Sequence, residues 1–302
     1  MSAILSRLTV GAIGLSCKTF LNIGYCSSVK VQGLENLKRA LLDTERDSGR
    51  GVITISNHIS TLDDPVAWGV VPAKWYLSSR MTRWTLGAAD IMFTNPIFSA
   101  FFRKGQVLET FRGKGIFQPA VDTAINKLNK GGWIHLFGEG KVNQPGNEPI
   151  QPLLLRFKWG VGRILMEAHR PPMIIPMWLT GFEKLMPEGR SFPYKYLPRR
   201  GVALTITFGE PVPEADIKAA LESRLPHQEG HNGVLFTDQR VKDEQQSGIR
   251  ATSGWLGNTP AGQPGTPNIA NKQAREVARI RQAVTAVLHR EVELLGQRVL
   301  GS

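Results

Sequence analysis

Cysteine is scarce in this chain. Only Cys17 and Cys26 occur, both near the N-terminus, so no disulfide framework can staple a core and no cysteine-based metal site is evident. Redox compartment stays undecided on that count. Acid is missing from the whole N-terminal stretch before Glu35. Long uncharged apolar runs are missing as well. Ten residues separate Arg7 from Lys18, roughly 15 Å of helix against roughly 30 Å of hydrocarbon. An apolar content of 41% is too low for a multi-span membrane protein. Zinc-finger, leucine-zipper and RNA-recognition patterns are lacking, which argues against nucleic acid as partner. Two histidines four apart, in His227-Gln228-Glu229-Gly230-His231, have their glutamate misplaced for a zinc hydrolase and lie in a Gly/Gln-rich segment. No metal site is read from them.

What is present is positive charge on a chain large enough for a full core. Across 302 residues, 37 Lys and Arg face 25 Asp and Glu, a net charge of +12. An anionic partner follows, and with the basic residues spread along the chain, lipid or phosphate suits better than nucleic acid. The segment Ala3–Ile23 is mostly apolar. As a helix at about 100° per residue it carries Arg7, Gly11, Gly14 and Lys18 on one stripe, with Leu5, Leu8, Ala12, Ile13, Leu15 and Phe20 covering most of the rest. A tilted span with snorkelling lysine is conceivable, but a helix lying in the membrane interface is the easier fit. A cleaved targeting peptide and an ordinary core helix are the blander readings, and the missing acids suit a mitochondrial address.

The middle of the chain alternates β-rich runs with helical patterns, the rhythm of an α/β domain. The strands expected are Gly51–Ser56, Gln106–Arg112, Trp133–Phe137, Met173–Leu179 and Val202–Phe208. Helices are expected over Gly115–Lys130 and Phe157–His169. Near-continuous apolar strands point to a mostly parallel sheet with both faces covered, and Pro176 within one of them suggests an edge or a bulge. Four regions follow: a membrane-associating segment over 1–30, the main domain over 31–225, a disordered insert over 226–271, and a C-terminal helix over 272–302 that packs on the domain. There is no internal repeat.

The densest chemistry lies in Ser56-Asn57-His58-Ile59-Ser60-Thr61-Leu62-Asp63-Asp64-Pro65. Asp64-Pro65 reads as a helix start, with Asp64 as N-cap and Pro65 in the first helical position. On a continuous helix His58 and Asp63 would stand about 140° apart, so they meet only if the chain turns between them. A strand ending near Ser56 and a helix beginning at Pro65 supply that turn. Asp63 would then accept from His58 Nδ1 and leave Nε2 as a base, with the substrate hydroxyl as nucleophile. The spacing alone is equally compatible with a solvated Asp63 and a merely hydrogen-bonded His58. After Trp133–Phe137, Gly138-Glu139-Gly140-Lys141 could cradle a phosphate or be a plain turn. Arg112, at the end of its strand, could reach an anion or sit on the surface.

Together these segments resemble the glycerolipid acyltransferase superfamily. Its four motifs appear in order as Asn57-His58 through Asp63, Gly105–Arg112, Phe137-Gly138-Glu139-Gly140, and Ile175-Pro176. Further echoes are Asp63-Asp64-Pro65, Arg83-Trp84-Thr85, Ala88-Ala89-Asp90-Ile91, Glu139-Gly140-Lys141-Val142-Asn143 and Arg156-Phe157-Lys158-Trp159-Gly160. They point to its branch of cardiolipin-remodelling phospholipid–lysophospholipid transacylases, and cover roughly residues 48–212. The resemblance implies an α/β fold with a central mostly parallel sheet flanked by helices. It implies His58 as base, Asp63 as its orienter, and Arg112, Glu139, Gly140 and Lys141 around the phosphate and glycerol of the substrate. Oxyanion donors are unassigned, with backbone N–H groups near Pro65 as one possibility. The acyl donor would be a phospholipid such as phosphatidylcholine, the acceptor monolysocardiolipin, and no cofactor is implied. The partners would be those lipids and an anionic, cardiolipin-bearing membrane surface, in mitochondrial membranes facing the intermembrane space. The rivals are an acyl-CoA-dependent lysophospholipid acyltransferase and a non-catalytic anionic-lipid-binding scaffold. Gly138 departs from the superfamily's usual proline, which suggests a looser loop before Glu139.

Overall fold

The computed structural model describes residues 2–144, 153–222, 252–254, 257–259 and 267–301. The chain opens with α1 (Ser2–Asn22), then β1 (Ser28–Gln32), α2 (Leu34–Leu42) and β2 (Val52–Ser56). A short helix α3 (Asp63–Val66) runs into two 3₁₀ turns. Next come β3 (Trp84–Ala88), α4 (Ala89–Met92), α5 (Pro96–Lys104), β4 (Val107–Thr110), α6 (Pro119–Leu128), β5 (Trp133–Phe137), α7 (Trp159–Met166), β6 (Met173–Thr180), α8 (Phe182–Leu185), β7 (Ala203–Phe208) and α9 (Glu214–Glu222). A small antiparallel pair, β8 (Thr252–Gly254) and β9 (Gly257–Thr259), precedes the long α10 (Pro267–Leu300).

Seven strands form one sheet in the order β1-β7-β6-β2-β5-β3-β4. Every neighbouring pair is parallel except β6 with β7. The α/β fold with a mostly parallel sheet is therefore as expected. All five residues of β2 are buried, as a central strand covered on both faces requires. Its alternation divides the core. Ile53 and Ile55 join the apolar cluster under α6, α7 and α10, while Val52 joins the one under α1, α2 and the turns after α3. On α10, Val284, Leu288, Val292 and Leu295 are fully buried against that first cluster. By area alone they stabilise the docked helix by up to about 6–12 kcal/mol.

Pro176 stands neither at an edge nor at a bulge: β6 lies between β7 and β2, and Pro176 is buried and in register with Ile55. Its carbonyl accepts from Gly209 N at 2.8 Å, just past the end of β7. The N and C=O of one strand residue face the same neighbour, so the missing donor falls where the ladder with β7 has already ended. The helices are shorter than expected, α6 starting only at Pro119 and α7 at Trp159. Most of the insert read over 226–271 lies outside the described residues, as do His227 and His231; the final helix begins at Pro267, ahead of the expected Lys272.

Val10, Gly14, Cys17 and Leu21 dock α1 on the domain. A Cβ on Gly14 would come within 2.7 Å of the Tyr76 ring, so glycine is what lets the helix lie this close. Lys18 Nζ donates to the carbonyls of Gly69 (3.2 Å) and Val71 (3.0 Å). The glycine–lysine stripe thus faces the protein, and Ile4, Leu5, Leu8 and Leu15 face outward. The stretch Ile4–Asn22 is long and apolar enough to cross a membrane, yet it runs along the domain surface.

Candidate active site

Motif residues collect at the carboxyl ends of β2 and β5, the edge of a parallel sheet where the chain leaves the strands and backbone groups become available. Asn57 extends the ladder by one step: its side chain donates to Leu179 O at 2.9 Å and accepts from Leu179 N at 2.8 Å. That fixes the exit of β2 against β6. The chain then turns tightly. Asp63 Oδ2 accepts three bonds, from His58 Nδ1 at 2.9 Å, Ile59 N at 2.7 Å and Ser60 N at 2.8 Å. The turn inferred from spacing exists, and it joins His58 to Asp63.

Asp63 is fully buried, whereas the His58 side chain is 20% exposed. The ring stacks on Phe137, centroids 4.1 Å apart and planes 24° apart. Burial raises the Asp63 carboxyl above its ordinary range, against the pull of His58 and the two backbone donors. Since Oδ2 already accepts from two amides, it is an acceptor toward the ring as well. The ring proton therefore sits on Nδ1, and Nε2 carries the lone pair.

Glu139 turns inward. Its Oε1 accepts from His58 N at 2.8 Å and its Oε2 from Leu155 N at 2.9 Å, and the side chain is almost wholly buried. Burial raises its carboxyl too, partly offset by those donors and Asn143. Asn143 N donates to His58 O at 2.6 Å, so the peptide groups on both sides of His58 are held by the loop after β5. Gln144 Nε2 adds bonds to Ile59 O (2.9 Å) and Met186 O (3.0 Å). Gly140, at φ 69, and Lys141 are exposed on the outer side of the same loop. The loop is not loosened by Gly138: a Cβ there would lie 2.5 Å from the buried Phe157 ring, and Lys158 N donates to Gly138 O at 2.8 Å. Phe157 occupies the space a side chain at 138 would need.

The structure thus gathers His58, Asp63 and Glu139, with Gly140 and Lys141 beside them. Arg112 lies apart. It is exposed in the turn after β4, within 3.4 Å of the equally exposed Asp90. Three strand spacings separate β4 from β2, about 14 Å along the same sheet edge.

Asp64 is not an N-cap. Leu62 holds that position in α3, and the Asp64 backbone is non-helical. Its carboxylate instead pairs in fork geometry with the Arg83 guanidinium and accepts from Trp68 Nε1 at 2.6 Å. Arg83 also donates to Gly105 O at 3.2 Å, tying the motif turn to the start of β4. Burial opposes charge on Asp64, but Arg83 holds its carboxyl below the usual range. Local rules give no sign of this, because the partner lies nineteen positions downstream. The pair forms one wall of an apolar cavity of about 140 Å³ between α1 and α5, lined also by Val10, Ile13, Trp68 and Phe102.

His135 lies behind Phe137, edge-on with centroids 4.5 Å apart. Thr54 Oγ1 accepts from Trp133 Nε1 and shares a hydrogen bond with His135 Nδ1, both at 2.9 Å. Burial pushes this histidine down to about 3 from 6.5. Below pH 6.5 the unfolded chain therefore binds a proton that the folded one refuses, and stability falls as pH falls. His135→Gln removes that dependence. Urea titrations from pH 6.5 to 4 should show the native chain losing about 1.4 kcal/mol per pH unit relative to the variant.

A family model described as Acyltransferase matches residues 28–180. The chain is 36% identical to the tafazzin of Drosophila melanogaster over 221 residues, 73% of this chain and 55% of that protein. It is 36% identical to the taffazin of Dictyostelium discoideum over 210 residues, 68% of this chain and 69% of that one. A protein of Arabidopsis thaliana named N-acylphosphatidylethanolamine synthase is 36% identical over 256 residues, 81% of this chain and 86% of its own length. The chain thus spans little more than half of the Drosophila relative.

Proposed function

The chain belongs to the acyltransferase family, in the group that includes the tafazzins, and from that membership we propose a CoA-independent phospholipid–lysophospholipid transacylase that remodels cardiolipin. One observation carries the reading: His58 has an oriented, lone-pair-bearing Nε2, and among the described residues no hydroxyl or thiol side chain is hydrogen-bonded to it. Ser56 and Ser60, the hydroxyls nearest in sequence, are buried. Ser56 donates to Asn57 O at 2.9 Å and Ser60 accepts from Leu62 N at 3.2 Å. The nucleophile then comes from the substrate. His58 takes the proton of a lysophospholipid hydroxyl, the oxygen adds to the ester carbonyl of a donor phospholipid, and a tetrahedral oxyanion forms. Collapse breaks the old ester bond, and the proton held on His58 passes to the departing lysophospholipid. The apolar cavity beside Asp64 suits a hydrocarbon chain.

Arg112, Gly140 and Lys141 are exposed along this edge and would meet phosphate and glycerol oxygens. Glu139 belongs to the same substrate region, and its buried oxygens support a role exerted through His58. Glu139→Gln tests which. Glutamine can accept at only one of the two positions, so one amide loses its partner, at a local cost of about 1–3 kcal/mol. A brace then lowers kcat with KM nearly unchanged, while direct contact with lipid headgroups raises KM.

The decisive experiment incubates pure protein with monolysocardiolipin and acyl-labelled phosphatidylcholine without CoA. Label in cardiolipin is expected. Activity that needs acyl-CoA would overturn the donor assignment, and free fatty acid would indicate a phospholipase. Label on the amine of phosphatidylethanolamine would instead point to the chemistry in the name of the Arabidopsis relative. The same reading places the enzyme on mitochondrial membranes facing the intermembrane space, which protease protection of isolated mitochondria checks.

A further inference from the structure

The segment between Gly189 and Arg200 reads Gly-Arg-Ser-Phe-Pro-Tyr-Lys-Tyr-Leu-Pro-Arg-Arg: three aromatics, four basic residues and no acid. In the structure its apolar side chains point away from the protein. Phe192 is 76% exposed, Tyr194 62%, Tyr196 65% and Leu197 52%. A monomer in water gains nothing by displaying such a cluster, and contiguous exposed apolar surface marks a place of contact. Nor is the display slack. A 3₁₀ turn over Tyr194–Tyr196 shapes the tip, and Arg190 donates to Leu197 O at 2.7 Å across the loop. Arg199 N donates to Leu185 O at 2.7 Å and anchors the returning limb. Phe192 and Tyr196 pack edge to face at 6.4 Å, with Lys195 Nζ 4.9 Å from the Tyr196 ring centre. The loop is braced to hold its rings outward.

Its place in the fold names the partner. Tyr25, just after α1, donates from its hydroxyl to Pro198 O at 2.6 Å, and its backbone carbonyl accepts from Gly201 N at 2.8 Å. The loop thus continues the exposed apolar flank of α1, which ends at the exposed Ile23. On its other side, Glu188 N donates to Gln144 Oε1 at 2.9 Å, and the same Gln144 amide holds Ile59 O beside His58. The loop therefore bridges α1, with its outward apolar flank, and the candidate active site. We propose that Phe192–Arg200 is a second membrane-contact element, which seats its aromatics in the interface of an anionic phospholipid bilayer and sets the His58 edge against the lipid. Amphipathic rings at headgroup depth and basic side chains beside them are the chemistry an anionic bilayer surface selects. A protein partner would not account for continuity with α1. The inference rests on the bilayer-substrate reading above, but its test needs no catalysis.

Full-length protein carrying His58→Ala is sedimented with vesicles of phosphatidylcholine alone and of phosphatidylcholine with cardiolipin. Phe192→Ser/Tyr194→Ser/Tyr196→Ser should weaken partition to the cardiolipin vesicles at least tenfold, α1 still contributing. Lys195→Gln/Arg199→Gln/Arg200→Gln should weaken it by about fivefold per charge removed at low salt, and leave the neutral vesicles unaffected. Both variants alter exposed side chains, so an unchanged thermal midpoint serves as the folding control. A polarity-sensitive dye on Tyr194→Cys, specific because Cys17 and Cys26 are buried, should shift blue on the anionic vesicles. Unchanged partition in both variants, or a dye that stays in water on bound protein, would overturn the proposal; the dye result would point to a protein partner for the loop. Absence of transacylation by the protein that keeps His58, with partition intact, would count against the catalytic reading alone.

Discussion

His58→Ala is expected to cut acyl transfer by about 10²–10⁴-fold, with the fold and vesicle binding retained. The ring is partly exposed and its removal orphans only one of the three bonds on Asp63 Oδ2. Asp63→Asn should do less. Because a single oxygen carries all three bonds, an amide oxygen can take its place and keep the ring proton on Nδ1. What disappears is the negative charge that stabilises imidazolium as His58 accepts the substrate proton. A hydrogen bond to a charged group contributes about 1.5–3 kcal/mol, which converts to roughly 10–100-fold in rate. Asp63→Ala should be the most damaging to stability of the three, since the buried amides of Ile59 and Ser60 both lose their acceptor. Residues that act as a unit are not additive, so His58→Ala/Asp63→Asn should be no slower than His58→Ala alone. Single-turnover kinetics with labelled phosphatidylcholine measure all four. Additive losses would mean that Asp63 acts apart from His58, and an active His58→Ala would end the base assignment.

Much of this site is legible in the amino-acid sequence, and the reason is local. The five-residue offset of His58 and Asp63 demands a turn, and the apolar run ahead of Asn57 with the Asp-Pro behind it supplies the two ends of one. The central strands are legible for a similar cause, since β2 and β6 are buried on both faces and carry mostly apolar runs, interrupted in β2 by Thr54. Strands β1 and β3 are hard to read because edge exposure and composition blur them. The first is half-exposed and holds Lys30, and the second contains Gly87, whose missing side chain makes room for Met92 and Val107. Direction is the other thing hidden. A glutamate between two glycines can face out or in, and only the amides of His58 and Leu155 decide that Glu139 faces in. Asp64 misleads for the same reason. Asp-Pro is a sound cap signal, but a carboxylate goes to its strongest partner, and Arg83 is invisible to any rule that looks a few residues ahead.

That buried pair carries the largest expected effect on stability. Asp64 and Arg83 are only 11% and 10% exposed, so removing either one strands a charge where water reaches it poorly. Arg83→Met is expected to destabilise the protein by about 3–5 kcal/mol at pH 7, and Asp64→Asn by a similar amount. The double variant should recover most of the loss, because the penalty comes from the unpaired ion more than from the absent attraction. Acidity then separates the two single variants. In the native chain the Asp64 carboxyl lies below its ordinary range, so the pair's contribution is complete above about pH 4 and fades as pH falls through the lowered value. In Arg83→Met the same burial lacks its guanidinium and must favour the protonated acid. Its deficit should therefore shrink steadily from pH 7 toward pH 4.5, as Asp64 takes up a proton and ceases to be a buried ion. In Asp64→Asn the stranded group is an arginine, which keeps its charge throughout, and the deficit should stay level. Urea midpoints at pH 7 and pH 4.5 suffice to tell them apart. Deficits that shrink in neither variant would mean that Arg83 matters for the carbonyl of Gly105 and for packing around the cavity rather than for the charge of Asp64.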